Sequence, residues 1–214
     1  MPGARRSEPP RPLSRRERAA VTRLRMVQTA HRLFLERGFE ATTMQDVADA
    51  AGVAVQTVYY TFSTKARLLA EVERFAVLGD RPSTEWRDTK PMVRLAAAPT
   101  AVELIKAFVA ADTDIKSRLA PFVAAVGAAL PSDPASVEQR EHGRREFFGF
   151  FIDRLAGLGP LRAGMTKARA LDILLAVNSL PTFIELTSRR GWTVRQWQNW
   201  LAYTIETQFL TGPA

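Results

Sequence analysis

The chain of 214 residues has no cysteine. That excludes disulfide frameworks, thiolate metal sites and cysteine nucleophiles. It has only two histidines, His31 and His142, far apart in sequence, so a zinc enzyme is not expected. Long apolar runs are also missing. The longest apolar stretch, 171–186, is interrupted by Asn178, Ser179, Pro181, Thr182 and Glu185, which makes it too short and too polar to span a bilayer. The N-terminal end is charged but is not followed by an apolar segment, so no signal peptide is expected. With these classes set aside, the expectation is a soluble, cytoplasmic, globular protein without metal, cofactor or membrane partner.

What the chain does have is 46% hydrophobic residues, enough for a sizeable core. Its net charge of +8 is placed unevenly. Residues 1–37 hold ten arginines and three glutamates, a net +7, while the remaining 177 residues hold 20 basic and 19 acidic side chains, a net +1. A basic end on a near-neutral body points to an anionic polymer or a membrane surface as partner for that end.

Periodicity predicts an all-α fold of about nine helices. Residues 1–14, rich in proline and arginine, read as a disordered basic arm. Ser14 and Glu17 have the spacing of a capping box for a first helix, in which Val27, Ala30, Leu33 and Phe34 recur at helical intervals up to Gly38. Thr42-Thr43 precede a short helix at 44–50. Ala51-Gly52-Val53 interrupt it, and a second short helix covers 55–60. Ser63-Thr64 then precede a further helix. The segment 79–99 reads as a linker with at most a turn of helix. Beyond it, 102–116 and 118–130 read as two segments, followed by one long helix through Phe147, Phe148, Phe151 and Leu155, one over 171–190 carrying Pro181, and one through Val194, Trp197, Leu201, Ile205 and Phe209.

Two short helices around a glycine turn are the sequence form of a helix-turn-helix. Such a unit needs a recognition helix with an exposed N-terminal end, flanking groups that hold phosphates, and a small apolar seam. Gln56 and Thr57 stand where side chains reach base edges; Gln can bond adenine and a Thr methyl can pack on thymine. Thr43, Tyr59, Tyr60 and Lys65 are suitable phosphate donors. Val47, Ala48, Ala51, Val53 and Val58 supply the seam.

The run from Phe34-Leu35-Glu36-Arg37-Gly38-Phe39 through Thr42-Thr43, then Asp46-Val47-Ala48-Asp49-Ala50-Ala51-Gly52-Val53, then Thr57-Val58-Tyr59-Tyr60, Phe62, Lys65 and Leu68-Leu69, resembles the TetR family of bacterial transcriptional regulators. The resemblance covers residues 20–75; the rest is similar only in length and helical pattern. It implies an N-terminal three-helix DNA-binding domain at 15–63 and a helical ligand-binding and dimerisation domain at 64–214. It implies phosphate contacts by Thr43, Tyr59 and Lys65, and base or backbone contacts by Gln45, Val55, Gln56, Thr57 and Tyr60. Two positions depart from the pattern. Thr61 stands where an aromatic or His is common, and Val55 where a polar or basic residue is common.

In the body the resemblance implies a cavity for a largely hydrophobic effector, with Phe108, Phe122, Phe147, Phe151, Asn178 and Thr182 as candidate lining. It also implies a dimer through the last two long helices, with Leu171, Leu174, Ile184, Trp197, Leu201 and Ile205 as candidate interface. Arg144, Arg145 and Glu146 read as surface. The expected function is therefore a homodimeric regulator, a repressor released from a palindromic double-stranded DNA operator by a small molecule. The alternative is a helical small-molecule carrier or enzyme with an incidental basic end. A membrane-surface role fits less well, because the arginine-bearing helix lacks a broad aromatic face opposite its charges.

Overall fold

The computed structural model describes residues 14–79, 86–130 and 134–211. The expected basic arm lies outside the described residues except for Ser14. Ten α-helices form and no strand does among the described residues, one helix more than the approximate count from periodicity. A lone antiparallel bridge joins Leu161 to Leu210.

The first four helices are α1 (Arg15–Arg37), α2 (Met44–Ala51), α3 (Val55–Phe62) and α4 (Lys65–Leu78). The starts of three of them follow from cap chemistry. Ser14 and Glu17 close a reciprocal capping box on α1, Thr43 and Asp46 close another on α2, and Thr64 caps α4. Gly52 ends α2 at φ 64°, ψ 44°, with its N–H donating to Ala48 and Asp49. This left-handed conformation favours glycine and makes the sharp turn into α3. Thr42, fully buried, donates through its hydroxyl to the Gly38 carbonyl at 2.8 Å, which ties the approach to α2 onto the end of α1.

The remaining helices are α5 (Lys90–Ala97), α6 (Ala101–Val126), α7 (Pro134–Leu158), α8 (Lys167–Val177), α9 (Leu180–Ile184) and α10 (Val194–Phe209). Three expectations are corrected here. The linker read at 79–99 contains α5, with Met92 and Leu95 buried; Pro91 falls in its first turn, where no N–H is required. The two segments read at 102–130 are one helix, α6, which carries Pro121 inside it. Its two halves are anchored in two different hydrophobic cores, which holds it continuous through the proline. Conversely, the single helix read at 171–190 breaks at Asn178-Ser179. Ser179 caps α9, Pro181 sits in the first turn of that helix, and a π-helical turn follows at Glu185–Arg189.

The two cores are distinct. The first joins α1–α4 to the C-terminal end of α6, through Phe34, Val47, Val58, Leu68, Phe122 and others. The second joins α5, the first half of α6, α7, α8, α9 and α10. The first core thus joins α4 both to α1–α3 and to the end of α6, across the expected boundary at residue 64. Leu174, Trp197, Leu201 and Ile205, expected on a dimer interface, are fully buried in the second core of their own chain. Their helical spacing marks the stripe that faces inward. Leu171 and Ile184 remain partly accessible. No single described helix is long and apolar enough to cross a membrane.

Candidate nucleic-acid interface

The inward face of α3 is Val58 and Phe62, both buried, with Val55 partly buried against the same core. The opposite face is therefore Gln56, Tyr59 and Tyr60, all exposed. Tyr60 is 91% and Tyr59 51% exposed. Two large aromatics held in water on one short helix, beside an exposed Gln, form a surface prepared for contact. Ala54 precedes α3 without a side-chain cap, and the Thr57 N–H donates to the Ala54 carbonyl at 2.9 Å.

The flanks add donors. Lys65 lies 4.1 Å above the Phe39 ring and donates to the Glu40 carbonyl at 3.3 Å. Those two contacts steady its ammonium beside the loop that ends in Thr43. Thr43 itself both accepts from the Asp46 N–H and donates to the Asp46 carboxylate. The Thr43 hydroxyl and N–H, both donating to the Asp46 carboxylate, and Arg37 at 3.8 Å hold that carboxyl below its usual range. Gln45 is exposed on α2, and its amide donates to Asp49 at 2.7 Å, which leaves its carbonyl oxygen outward. Thr57 is partly buried, and its carbonyl accepts from the Thr61 hydroxyl at 2.7 Å. Thr61 is thus turned back onto its own helix. Gln45, Gln56, Tyr59, Tyr60 and Thr43 are thus exposed and Thr57 and Lys65 partly so, whereas Val55 packs against the core.

Sequence reading did not single out Arg23. It lies 4.9 Å from the centroid of the Phe62 ring, pairs with Glu71 at 3.1 Å and donates to the Thr61 carbonyl at 3.4 Å. It locks the end of the recognition helix to α1 and α4. Its presence within a basic run disguised that role.

A second site is interior. A cavity of about 820 Å³ opens between α4, α5, α6, α7 and the α8–α9 break. Of the expected lining residues it is bounded by Phe147 and Asn178, but not by Phe108, Phe122, Phe151 or Thr182. Phe108 and Phe151 stack on each other at 4.0 Å in solid core. Phe122 belongs to the first core, 5.8 Å from the His31 ring. Thr182 is engaged with its cap residue Ser179. Arg144, read as surface, lines the cavity instead and donates to the Leu175 carbonyl at 2.8 Å. Buried Asp112 and Lys116, an ion pair one helical turn apart, also face it. No signal in the sequence singles them out, because Thr113, Asp114, Ser117 and Arg118 surround them and Asp114 and Arg118 share the same four-residue spacing.

Residues 27–72 match the family model of bacterial regulatory proteins, tetR family. That match covers the helix-turn-helix end of the chain, α2 and α3 with the adjoining parts of α1 and α4. It is 36% identical over 66 residues to the HTH-type transcriptional repressor KstR2 of Mycolicibacterium smegmatis, an overlap of 31% of this chain and 29% of that protein. The chain thus matches less than a third of the length of that curated relative. Over nearly the whole length it shares a fold with solved structures. NalD, the secondary repressor of the MexAB-OprM multidrug efflux pump in Pseudomonas aeruginosa, superposes with a TM-score of 0.63 at 21% identity, over 92% of this chain and 100% of NalD. A complex of SmeT with triclosan superposes with a TM-score of 0.65 at 18% identity, over 90% of this chain and 93% of SmeT. The family match thus lies in the helix-turn-helix end, and the likeness over nearly the whole chain is one of fold.

Proposed function

We propose that this chain is a cytoplasmic, sequence-specific transcriptional repressor of the tetR family that binds a palindromic operator as a homodimer and leaves it when a small molecule occupies the interior cavity. The observation that carries this reading is the outward face of α3, with Gln56, Tyr59 and Tyr60 in water on a helix whose other face is locked into the core. Thr43, Tyr59 and Lys65 hold phosphates, and Gln45, Gln56, Thr57 and Tyr60 approach bases. That KstR2 and NalD are named as repressors, and that SmeT is seen with triclosan, support repression and a small-molecule effector.

The cavity and the DNA face share a joint. Arg118 of α6 donates to the Ala76 and Val77 carbonyls, both at 2.9 Å, and so holds the last turn of α4. Lys116 and Asp112 on the same helix face the cavity. A ligand that shifts α6 therefore moves α4, and α4 packs on α1 and α3 in the first core. In a dimer this alters the separation of the two recognition helices from about one DNA turn, and operator affinity falls. The dimer forms through the outer surfaces of α8–α10, where Leu171, Ile184 and the 66% exposed Tyr203 are available. Selection from a random duplex library tests the reading. Recovery of two symmetric half-sites with a dimer by light scattering supports it, and recovery of no enriched sequence refutes it.

A further inference from the structure

The inner end of the cavity carries polar chemistry that packing does not use. Asn178 is fully buried at the α8–α9 break and lines the cavity, yet neither its Oδ1 nor its Nδ2 has a hydrogen-bond partner. Buried amides are normally satisfied, so an orphaned one facing a cavity is held at a standing desolvation cost that a ligand can relieve. Lys116, 5% exposed, donates to Asp112 and to no other group, so two of its three N–H donors remain. Arg144 shares the same aromatic ring: its guanidinium lies 5.8 Å from the Phe148 centroid and the Lys116 ammonium lies 5.7 Å from it. Glu141 is divided between Arg144 at 3.5 Å and Arg145 at 3.4 Å. Glu141 and Arg145 lie outside the lining, so at the Phe148 end two cations, Lys116 and Arg144, face the cavity with one carboxylate, Asp112, while Glu73 and Arg140 pair with each other elsewhere on the wall at 3.5 Å. Burial and the neighbouring Arg144 both push the Lys116 ammonium below its usual range, against the pull of Asp112. An anion placed between the two cations would relieve that repulsion.

The rest of the wall is mixed. Met92, Ile115, Leu119, Phe147 and Leu180 make an apolar strip, beside charged residues of α4 and α7 such as Glu73 and Arg140. We infer that the cavity takes an amphipathic carboxylic acid, its carboxylate bonded by Lys116, Arg144 and the Asn178 amide around Phe148, and its apolar body lying along the apolar strip. This inference rests on the proposed effector role of the cavity. It goes beyond that role in requiring a charged head of one sign.

The test is calorimetry of the full chain, without DNA, against decanoate, 1-decanol and decylamine. The three share a tail and differ in the head. Decanoate is expected to bind roughly tenfold or more tightly than decanol, on the scale of charge-assisted hydrogen bonds, and decylamine most weakly. Asn178→Leu and the paired Asp112→Leu/Lys116→Met variant, each confirmed folded by circular dichroism and thermal melting, should bring decanoate down to the level of decanol. Equal binding of acid and alcohol, preference for the amine, no binding of any probe, or an acid preference that survives both variants would each overturn the assignment. Because no DNA is present, these results are separate from the operator-binding measurement, whose failure would instead remove the repressor reading.

Discussion

The two cores of this protein solve opposite problems. The first, under α1–α4, is filled by apolar side chains, and the polar chemistry that matters stands outside it, on α3 and its flanks. The second surrounds a cavity and turns part of its polar chemistry inward, where Asp112, Lys116 and Asn178 are almost wholly removed from water. A surface that reads DNA can leave its groups solvated until contact. An interior that senses a small molecule must hold polar groups ready in low dielectric, at a standing cost in stability. The comparison teaches that the stability of the body and its selectivity draw on the same residues, whereas in the DNA-binding end they are separate.

The sharpest way to break that comparison is the buried ion pair. Lys116→Met leaves Asp112 buried and unpaired, and is expected to destabilise the chain by about 3–5 kcal/mol. The double variant Asp112→Leu/Lys116→Met should recover most of that loss. Denaturant unfolding checks both. If the single variant is as stable as the parent, the pair is not buried in solution and the contrast between the cores fails.

On the DNA face the reverse is expected. Lys65→Ala and Tyr59→Phe should weaken binding to every duplex, and loss of the Lys65 contact should make the log–log salt slope shallower by about 0.9. Gln56→Ala should instead relax preference at one base position, with discrimination falling by about 1–3 kcal/mol. All three should unfold within about 0.5 kcal/mol of the parent, as surface changes do. Fluorescence anisotropy on specific and scrambled duplexes separates the two classes of effect.

Gly52→Ala should cost about 1 kcal/mol through its left-handed backbone alone, since nothing lies within 4 Å of an added Cβ. Thermal unfolding reads it directly. The smallest expected effect is one of pH. His31 lies against Phe75 and Phe122, and burial holds its imidazole below the ordinary value. The unfolded chain protonates near about 6.5. Just below that pH it binds more protons than the folded chain, so stability present at neutral pH declines as the pH falls through this window. His31→Leu should flatten that decline, as followed by melting temperature between pH 7.5 and 5.5.

The same comparison explains how much could be read without coordinates. The helix-turn-helix was legible because each local signal agreed with the fold: Ser14, Thr43 and Thr64 cap, Gly52 turns, and the apolar seam keeps its register. Val58 was legible in the seam, and the structure adds Phe62 to that inward face, which leaves Tyr59 and Tyr60 outward. The body was less legible because its signals point inward without saying onto what. Trp197, Leu201 and Ile205 mark a buried stripe equally well whether a neighbouring helix or a second chain covers it, and here their own chain does. Pro121 and Pro181 looked alike in sequence. One lies within a continuous helix anchored in both cores, and the other lies just after a real break. The cavity lining escaped because Phe108 and Phe151 satisfy each other, and because Arg144 was judged by its charge rather than by its carbonyl partner at Leu175.

The most direct test of the central claim is a gel-shift titration with the DNA immediately upstream of the protein's own coding sequence at low salt. The account predicts a discrete retarded complex that survives excess unrelated duplex and is lost in the Lys65→Ala/Gln56→Ala variant. No complex at low salt, or one that unrelated duplex competes away equally well, would contradict it.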